Sequence, residues 1–178
     1  MKRIIALLLI LTFAIGFAAC GAKNGNAADP SGKQTEAAPE SGVNGGEIAV
    51  GDHTVRLTDE LRHGDLRFLA PEKAEKAGYD QVYSLCSRVG EDVLFTISIV
   101  YFKGKDVDEV MSGSDYNMTD RTAGGLTYRY FEDSEDGTAE HTYVRYFNGT
   151  TYAISFMSDF DTAALETAFL ANVRFEKE

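Results

Sequence analysis

Three histidines, His53, His63 and His141, are the side chains of this sequence best suited to proton transfer near neutral pH. No two of them have the spacing of a His-Glu-x-x-His metal site. The chain also lacks a Gly-x-Ser-x-Gly nucleophile elbow and a Gly-x-x-x-x-Gly-Lys phosphate loop. The sequence therefore predicts no catalytic residue, no metal site and no bound cofactor. A hydrolase stays open as an alternative, and it would need a cleft that joins one of these histidines to acidic side chains.

A hairpin about Asn148-Gly149 is the second feature that could do chemistry, because Asn-Gly between two apolar runs is a strong two-residue turn signal. One face of this hairpin carries His141, Tyr143, Arg145 and Tyr152 among aromatic and branched side chains. We predict the cross-strand pairs Phe147 with Thr150, Arg145 with Tyr152, Tyr143 with Ile154, and His141 with Phe156.

Two interpretations of that hairpin face remain open. In the first, the face is core beneath the last helix, and Arg145 lies across Tyr152 with its guanidinium reaching the edge. In the second, the face lines a partly open groove where His141, Tyr143, Arg145 and Tyr152 contact a peptide, a glycan or an acidic ligand.

The N-terminus predicts secretion. Lys2 and Arg3 precede a nearly uninterrupted apolar stretch, Ile4 to Phe17. That stretch is shorter than the roughly 20 residues that a membrane-spanning helix needs, and its length is typical of a signal peptide core. We expect residues 1–19 to be a signal peptide that is removed.

The segment Phe17-Ala18-Ala19-Cys20 resembles the lipobox of bacterial lipoproteins, although Phe17 stands where that family usually has Leu. The resemblance implies a diacylglycerol joined to the thiol of Cys20. It also implies a protein held at the outer face of the cytoplasmic membrane. The outer membrane stays an alternative location if the source has one. Two acyl chains give stable anchoring where one does not. Cys86 would then be the single free thiol, and we expect it to be a small buried apolar side chain.

Residues 20–46 predict a flexible, lipidated linker, because they contain no aromatic residue and a single branched aliphatic one, Val43. Residues 47–178 predict one globular domain, which holds all nine tyrosines. Its 13 basic and 25 acidic side chains give a net charge of −12. That acidity argues against a nucleic-acid partner and predicts that the domain stands off an anionic lipid surface.

The order of elements predicts an α+β fold, with an antiparallel sheet and flanking helices. Strands are expected in antiparallel hairpins, with Val93–Phe102 as a central strand. Helical segments are expected at Glu72–Ala77, after Asp106 with a capping box to Glu109, and at Thr162–Asn172.

The stretch from Leu66 to Phe175 is similar to the PsbP-like family. The similarity rests on Gly124-Gly125-Leu126, an acidic turn, the Asn148-Gly149 hairpin with its following Thr-Thr-Tyr, a helix, and Asn172-Val173-Arg174-Phe175. The resemblance implies an α/β/α sandwich around an antiparallel sheet. It also implies a non-enzymatic helper or binding module.

These observations together predict a lipid-anchored, extracytoplasmic binding or accessory protein of the bacterial cell envelope, without catalysis of its own. The membrane is the expected partner through the lipid, and a protein or a small ligand is the expected second partner. Two alternatives stay open: an envelope-associated hydrolase, and a structural subunit of a membrane complex.

Overall fold

The computed structural model describes residues 35–37, 46–135 and 137–177. The predicted signal peptide, the predicted lipidation site Cys20 and all but a few residues of the predicted linker lie outside the described residues. Within the described ranges, no helix is both long enough and apolar enough to cross a bilayer.

The fold is mostly β, with 62% of the described residues in strands and 11% in helices. The expected α+β class, an α/β/α sandwich with helices flanking an antiparallel sheet, is therefore wrong. The strands, in chain order, are β1 Thr35–Ala37, β2 Ile48–Val50, β3 His53–Val55, β4 Leu57–His63, β5 Leu66–Pro71, β6 Glu75–Tyr79, β7 Val82–Val89, β8 Asp92–Lys103, β9 Thr119–Ala123, β10 Leu126–Glu135, β11 Thr138–Phe147, β12 Thr150–Ser158 and β13 Arg174–Glu176. The two described helices are α1 Val107–Met111 and α2 Ala163–Ala171.

Seven strands form the main sheet, in the spatial order β6-β7-β8-β12-β11-β10-β9, and every neighbouring pair is antiparallel. β8 lies in its interior between β7 and β12, so the predicted central strand is confirmed. The register of the Asn148-Gly149 hairpin is also confirmed, with Arg145 opposite Tyr152 and His141 opposite Phe156. The positive φ of Asn148 and Gly149 explains why this dipeptide fits the turn.

A second layer packs on one face of the main sheet, which we call the inner face. It consists of a four-stranded sheet in the order β1-β13-β5-β4, the small β2–β3 hairpin and α2. Ring contacts join the layers: Phe169 of α2 lies 5.5 Å from Phe156 of the main sheet and 5.6 Å from Phe68 of β5, between ring centroids. These three phenylalanines are fully buried, so the core lies between the two layers.

The opposite face of the main sheet, which we call the outer face, has a partial cover. α1 begins with the predicted capping box, in which Asp106 accepts from the Glu109 backbone and Glu109 accepts from the Asp106 backbone. Met111 of α1 packs with Phe131 and Val144, which lie on β10 and β11. α1 and the segment after it therefore cover the part of the outer face formed by β10, β11 and β12.

The predicted helical turn at Glu72–Ala77 is wrong, because Glu75–Tyr79 is strand β6. The backbone of β6 pairs with β7 at the edge of the main sheet, from Glu75 opposite Cys86 to Tyr79 opposite Val82. Glu, Lys and Ala favour a helix locally, but this preference is weak. The hydrogen bonds and packing that β6 gains by pairing with β7 are stronger, so the segment forms a strand.

Candidate functional site

The four hairpin side chains singled out from the sequence share the inner face but divide into two groups. Tyr143 is 3% exposed and Tyr152 is 2% exposed, so the face is closed at both tyrosines. At one end, the hydroxyl of Tyr152 accepts from the backbone N–H of Asp65 at 2.8 Å. Arg145 donates to the carbonyl of Thr127 at 2.7 Å, and its guanidinium carbon lies 5.7 Å from the centroid of the Phe175 ring.

The other two, His141 and Tyr143, meet at Glu166 of α2. Glu166 Oε1 lies 2.6 Å from His141 Nδ1 and accepts from the hydroxyl of Thr162 at 2.6 Å. Glu166 Oε2 accepts from the hydroxyl of Tyr143 at 2.7 Å. The Glu166 side chain is only 4% exposed, so these three contacts replace the water that a carboxylate would otherwise bind.

A rim of partly exposed side chains surrounds this buried carboxylate. The guanidinium carbon of Arg121 lies 3.5 Å from the centroid of the Tyr130 ring, and Arg121 donates to the hydroxyl of Tyr143 at 3.3 Å. Tyr130 in turn donates to Glu132. The rim is thus a continuous series of hydrogen bonds, a cation–π contact and an ion pair from the exposed Glu132 to the buried Glu166.

The protonation of the two tyrosines follows from the same contacts. Burial, reinforced by the hydrogen bond to Glu166, raises the pKa of Tyr143 to about 12. Burial and the hydrogen bond to Glu132 raise the pKa of Tyr130 as well. The hydrogen bond from Tyr130 lowers the pKa of Glu132. Both phenols therefore stay protonated at neutral pH and act as fixed donors, which favours a positioning role for the cluster.

The three histidines meet different neighbours. His63 packs between Tyr101 and Tyr83, with ring centroids 4.8 Å and 5.5 Å away, and burial lowers its pKa. His53 meets the ring of Phe160 edge-on at 6.4 Å. Among the described ion pairs, His141 is the histidine that meets a carboxylate. His141 with Glu166 thus supplies the pairing of a histidine with an acid that the hydrolase alternative requires, although the acid is buried.

A second region of interest lies on the outer face, where β7 and β8 are not covered by α1. Six side chains form what we call the outer floor: Val82, Ser84 and Cys86 on β7, and Thr96, Ser98 and Val100 on β8. Cross-strand pairing sets Ser84 opposite Ser98, and the next pairs along are Val82 with Val100 and Cys86 with Thr96. Tyr79 stands at the margin on β6 and is 71% exposed.

Ser98 is the unusual member of the outer floor. Its side chain is 1% exposed, and within the described residues its Oγ meets no hydrogen-bond partner. Leaving a buried hydroxyl unpaired costs about 1–3 kcal/mol. The four neighbours Val82, Ser84, Cys86 and Thr96 are only half-buried, so the unpaired hydroxyl lies just below partly exposed side chains, and a ligand meets it where these side chains move aside.

The covered part of the same row behaves differently. Ser98 is followed across the sheet by Ser155 on β12 and Thr142 on β11. The hydroxyls of Ser155 and Thr142 bond to each other at 2.8 Å, and Thr142 also bonds to Glu140. Under α1 and its following segment the row is satisfied internally, whereas Ser98 in the uncovered part is not.

The sequence reasoning missed both Glu166 and Ser98. Glu166 is a charged residue in an amphipathic helix, where an exposed position is the default expectation. The position of Ser98 between Ser84 and Ser155 depends on the pairing of β8 with β12, which are far apart in the chain. The alternation of Thr96 and Ser98 with Phe95 and Ile97 was the available signal that one face of β8 is polar.

No family model matches the chain, and no curated protein matches it either. A crystal structure of a protein from Bacteroides thetaiotaomicron VPI-5482, at 1.50 Å resolution, is similar in fold. The TM-score is 0.51 at 13% identity, and the match covers 67% of this chain and 48% of that chain. The chain thus spans about half the length of the solved structure that it matches, and the likeness concerns the fold alone.

Proposed function

We propose that the chain is a lipid-anchored, extracytoplasmic binding protein of the bacterial cell envelope, without catalysis of its own, and that the outer floor is its ligand surface. The observation that carries the binding part is the buried hydroxyl of Ser98, which is unpaired within the described residues and lies just below half-buried side chains. A protein gains nothing in stability from such a group, so a ligand that hydrogen-bonds there explains why it is kept.

The location part of the proposal rests on the sequence. The apolar segment before Cys20 and the lipobox-like Phe17-Ala18-Ala19-Cys20 support export and a diacylglycerol anchor. The polar residues 20–46 would hold the domain near the membrane, and its charge of −12 would keep it off anionic lipid.

Replacing the anchoring residue tests the location. In the Cys20→Ser variant we expect the protein in the medium, whereas the unaltered protein fractionates with membranes. Mass spectrometry of the mature N-terminus should find diacylglycerol on Cys20. A Cys20→Ser protein that stays membrane-bound would show that the lipoprotein proposal is wrong.

The free thiol of Cys86 provides a test of binding, because it lies in the outer floor. A membrane-impermeant maleimide should label Cys86 readily in the detergent-extracted protein and several-fold more slowly in intact cells, where the ligand is present. The Cys86→Ser, Ser134→Cys double variant is the matched control. Its new thiol lies at an exposed position of β10 and should react equally in both samples. Equal labelling of Cys86 in both samples would contradict a ligand at the outer floor.

One observation favours the hydrolase alternative: His141 Nδ1 is held by a buried carboxylate, as in histidines that act as general bases. The two hydroxyls that reach this pair, from Thr162 and Tyr143, donate to Glu166 and not to His141. Neither hydroxyl is thus placed as a nucleophile. A His141→Gln variant distinguishes the two functions, because a binding protein should keep the cellular protection of Cys86 in this variant.

A further inference from the structure

We propose that the ligand of the outer floor is a neutral polysaccharide chain, which lies across β6, β7 and β8 with Tyr79 against a sugar ring and the Ser84–Ser98 pair hydrogen-bonded to its hydroxyls. This inference rests on the proposed function and names the class of ligand at that same surface.

Charge is the first argument. The outer floor contains only uncharged side chains, on a domain whose net charge is −12. Glu75, at the margin, is paired with Arg88 at 3.3 Å. An anionic ligand would meet repulsion from the domain as a whole, and a cationic ligand would find no carboxylate in the floor. The floor therefore suits a ligand that is recognised without charge.

The second argument is the chemistry of the side chains. Ser84, Ser98 and Thr96 provide hydroxyls that both donate and accept, and the hydroxyl of Ser98 is unpaired within the described residues. The exposed ring of Tyr79 has a flat apolar surface with a polar end. A sugar ring offers the complement to both: a face of C–H groups and a border of hydroxyls.

Size and backbone geometry argue against the other occupants. Three strands at about 4.8 Å spacing and five residues along each give a floor of roughly 10 by 13 Å. That is far below the roughly 800 Å² per partner of a stable protein interface, so a second copy of the chain is not favoured. An extended peptide binds at a sheet edge, where backbone groups are free. In the interior of a sheet, the backbone groups of β7 and β8 already pair with their neighbours.

The test measures binding of chitotetraose, cellotetraose and maltotetraose to the detergent-extracted full-length protein by calorimetry. We expect at least one of these neutral oligosaccharides to bind. Tyr79→Ala should lower its affinity by at least tenfold and Ser98→Ala by at least threefold. Phe160→Ala is the matched control, because Phe160 is an exposed aromatic (44%) that packs against His53, away from the outer floor, and it should leave the affinity unchanged.

Several results would overturn the inference. They are the absence of binding by all three oligosaccharides, tighter binding of an anionic polysaccharide such as heparin, concentration-dependent dimerisation that the Tyr79→Ala variant abolishes, or equal losses in Tyr79→Ala and Phe160→Ala. The urea midpoint of a variant that loses affinity should be no lower than that of the unaltered protein, which excludes misfolding as the cause of the loss.

The labelling of Cys86 separates this inference from the proposed function. If no neutral oligosaccharide binds and Cys86 is still protected in intact cells, the assignment of a polysaccharide ligand is wrong and the proposed binding function stands. If Cys86 is not protected either, both are wrong.

Discussion

Glu166 Oε1 on α2 lies 2.6 Å from His141 Nδ1 on β11, and this contact joins the helix to the inner face of the main sheet. The same carboxylate accepts from the hydroxyls of Thr162 and Tyr143, so three groups, two on β11 and one at the N-cap of α2, depend on one buried side chain. The cluster is therefore a structural joint between the two layers, with its rim of Arg121 and Glu132 at the surface.

Glu166→Ala should destabilise the fold by about 3 kcal/mol, because it leaves the buried hydroxyls of Thr162 and Tyr143 without a partner. Glu166→Gln should cost about 1–2 kcal/mol, since the amide oxygen still accepts. Urea unfolding at neutral pH measures both. Thr167→Ala is the control on the same helix, because Thr167 is exposed, and it should shift stability by less than about 0.5 kcal/mol. A Glu166→Ala variant as stable as that control would show that the cluster does not join the layers.

A second joint lies where the β9–β10 turn meets the end of α2. Gly124 has a φ of +57°, and a Cβ at this position would overlap the backbone carbonyl of Leu170. Gly90, in the β7–β8 turn, has a φ of +65° but nothing within 4 Å of its would-be Cβ.

The two glycines therefore separate backbone strain from steric exclusion. Gly90→Ala should lower the free energy of unfolding by only about 1–2 kcal/mol, because alanine must adopt a left-handed conformation there. Gly124→Ala should lower it by about 2 kcal/mol more than Gly90→Ala does, because the backbone must also move to relieve the overlap with the Leu170 carbonyl. Thermal unfolding of the two variants side by side makes the comparison. Equal losses would mean that the turn does not pack against α2 as described.

His63 makes stability depend on pH. Because burial lowers its pKa below the ordinary value of 6.5, the unfolded chain takes up a proton before the folded chain does. Stability is therefore expected to fall as the pH drops below about 6.5. His63→Phe keeps a ring between Tyr83 and Tyr101 but does not titrate. Its loss of stability between pH 7.5 and pH 5.5, measured by urea unfolding, should be smaller than that of the unaltered protein. An identical loss in both proteins would contradict the role of His63.

Several local predictions from the sequence were correct because the deciding residues are neighbours in the chain. The Asn148-Gly149 turn fixed the register of β11 and β12, and the capping box at Asp106 fixed the start of α1. The last helix also forms where predicted, with Asp161 Oδ1 accepting from the backbone N–H of Ala163. Turns and caps depend on a few adjacent side chains, which a single sequence displays directly.

The fold class was wrong because four strands were missed, and all four lie at sheet edges. β1 and β4 end the four-stranded sheet, while β6 and β9 end the main sheet. Edge strands often carry charged side chains, which discourage pairing with other molecules. Asp59, Glu60 and Arg62 in β4, and Asp120 and Arg121 in β9, accordingly hide the apolar alternation that marks a strand.

The outer floor could not be found from the sequence for a different reason. Ser98 pairs with Ser84 within the local β7–β8 hairpin, but its pairing with Ser155 joins β8 to the distant β12, and nothing local specifies that register. Local patterns do not specify which distant elements pack together. His141 and Tyr143 were correctly placed on one face, but their partner Glu166 comes from α2.

Ser98→Ala is the variant that tests the central claim most directly, namely that the hydroxyl of Ser98 serves a ligand and not the fold. The measurement is the free energy of unfolding of this variant and of the unaltered protein, by urea denaturation without added ligand. Because the hydroxyl is buried and unpaired, its removal should leave stability unchanged or raise it by up to about 1 kcal/mol. A loss of 1 kcal/mol or more would show that Ser98 has a structural partner, and it would contradict the claim that the outer floor is a ligand surface.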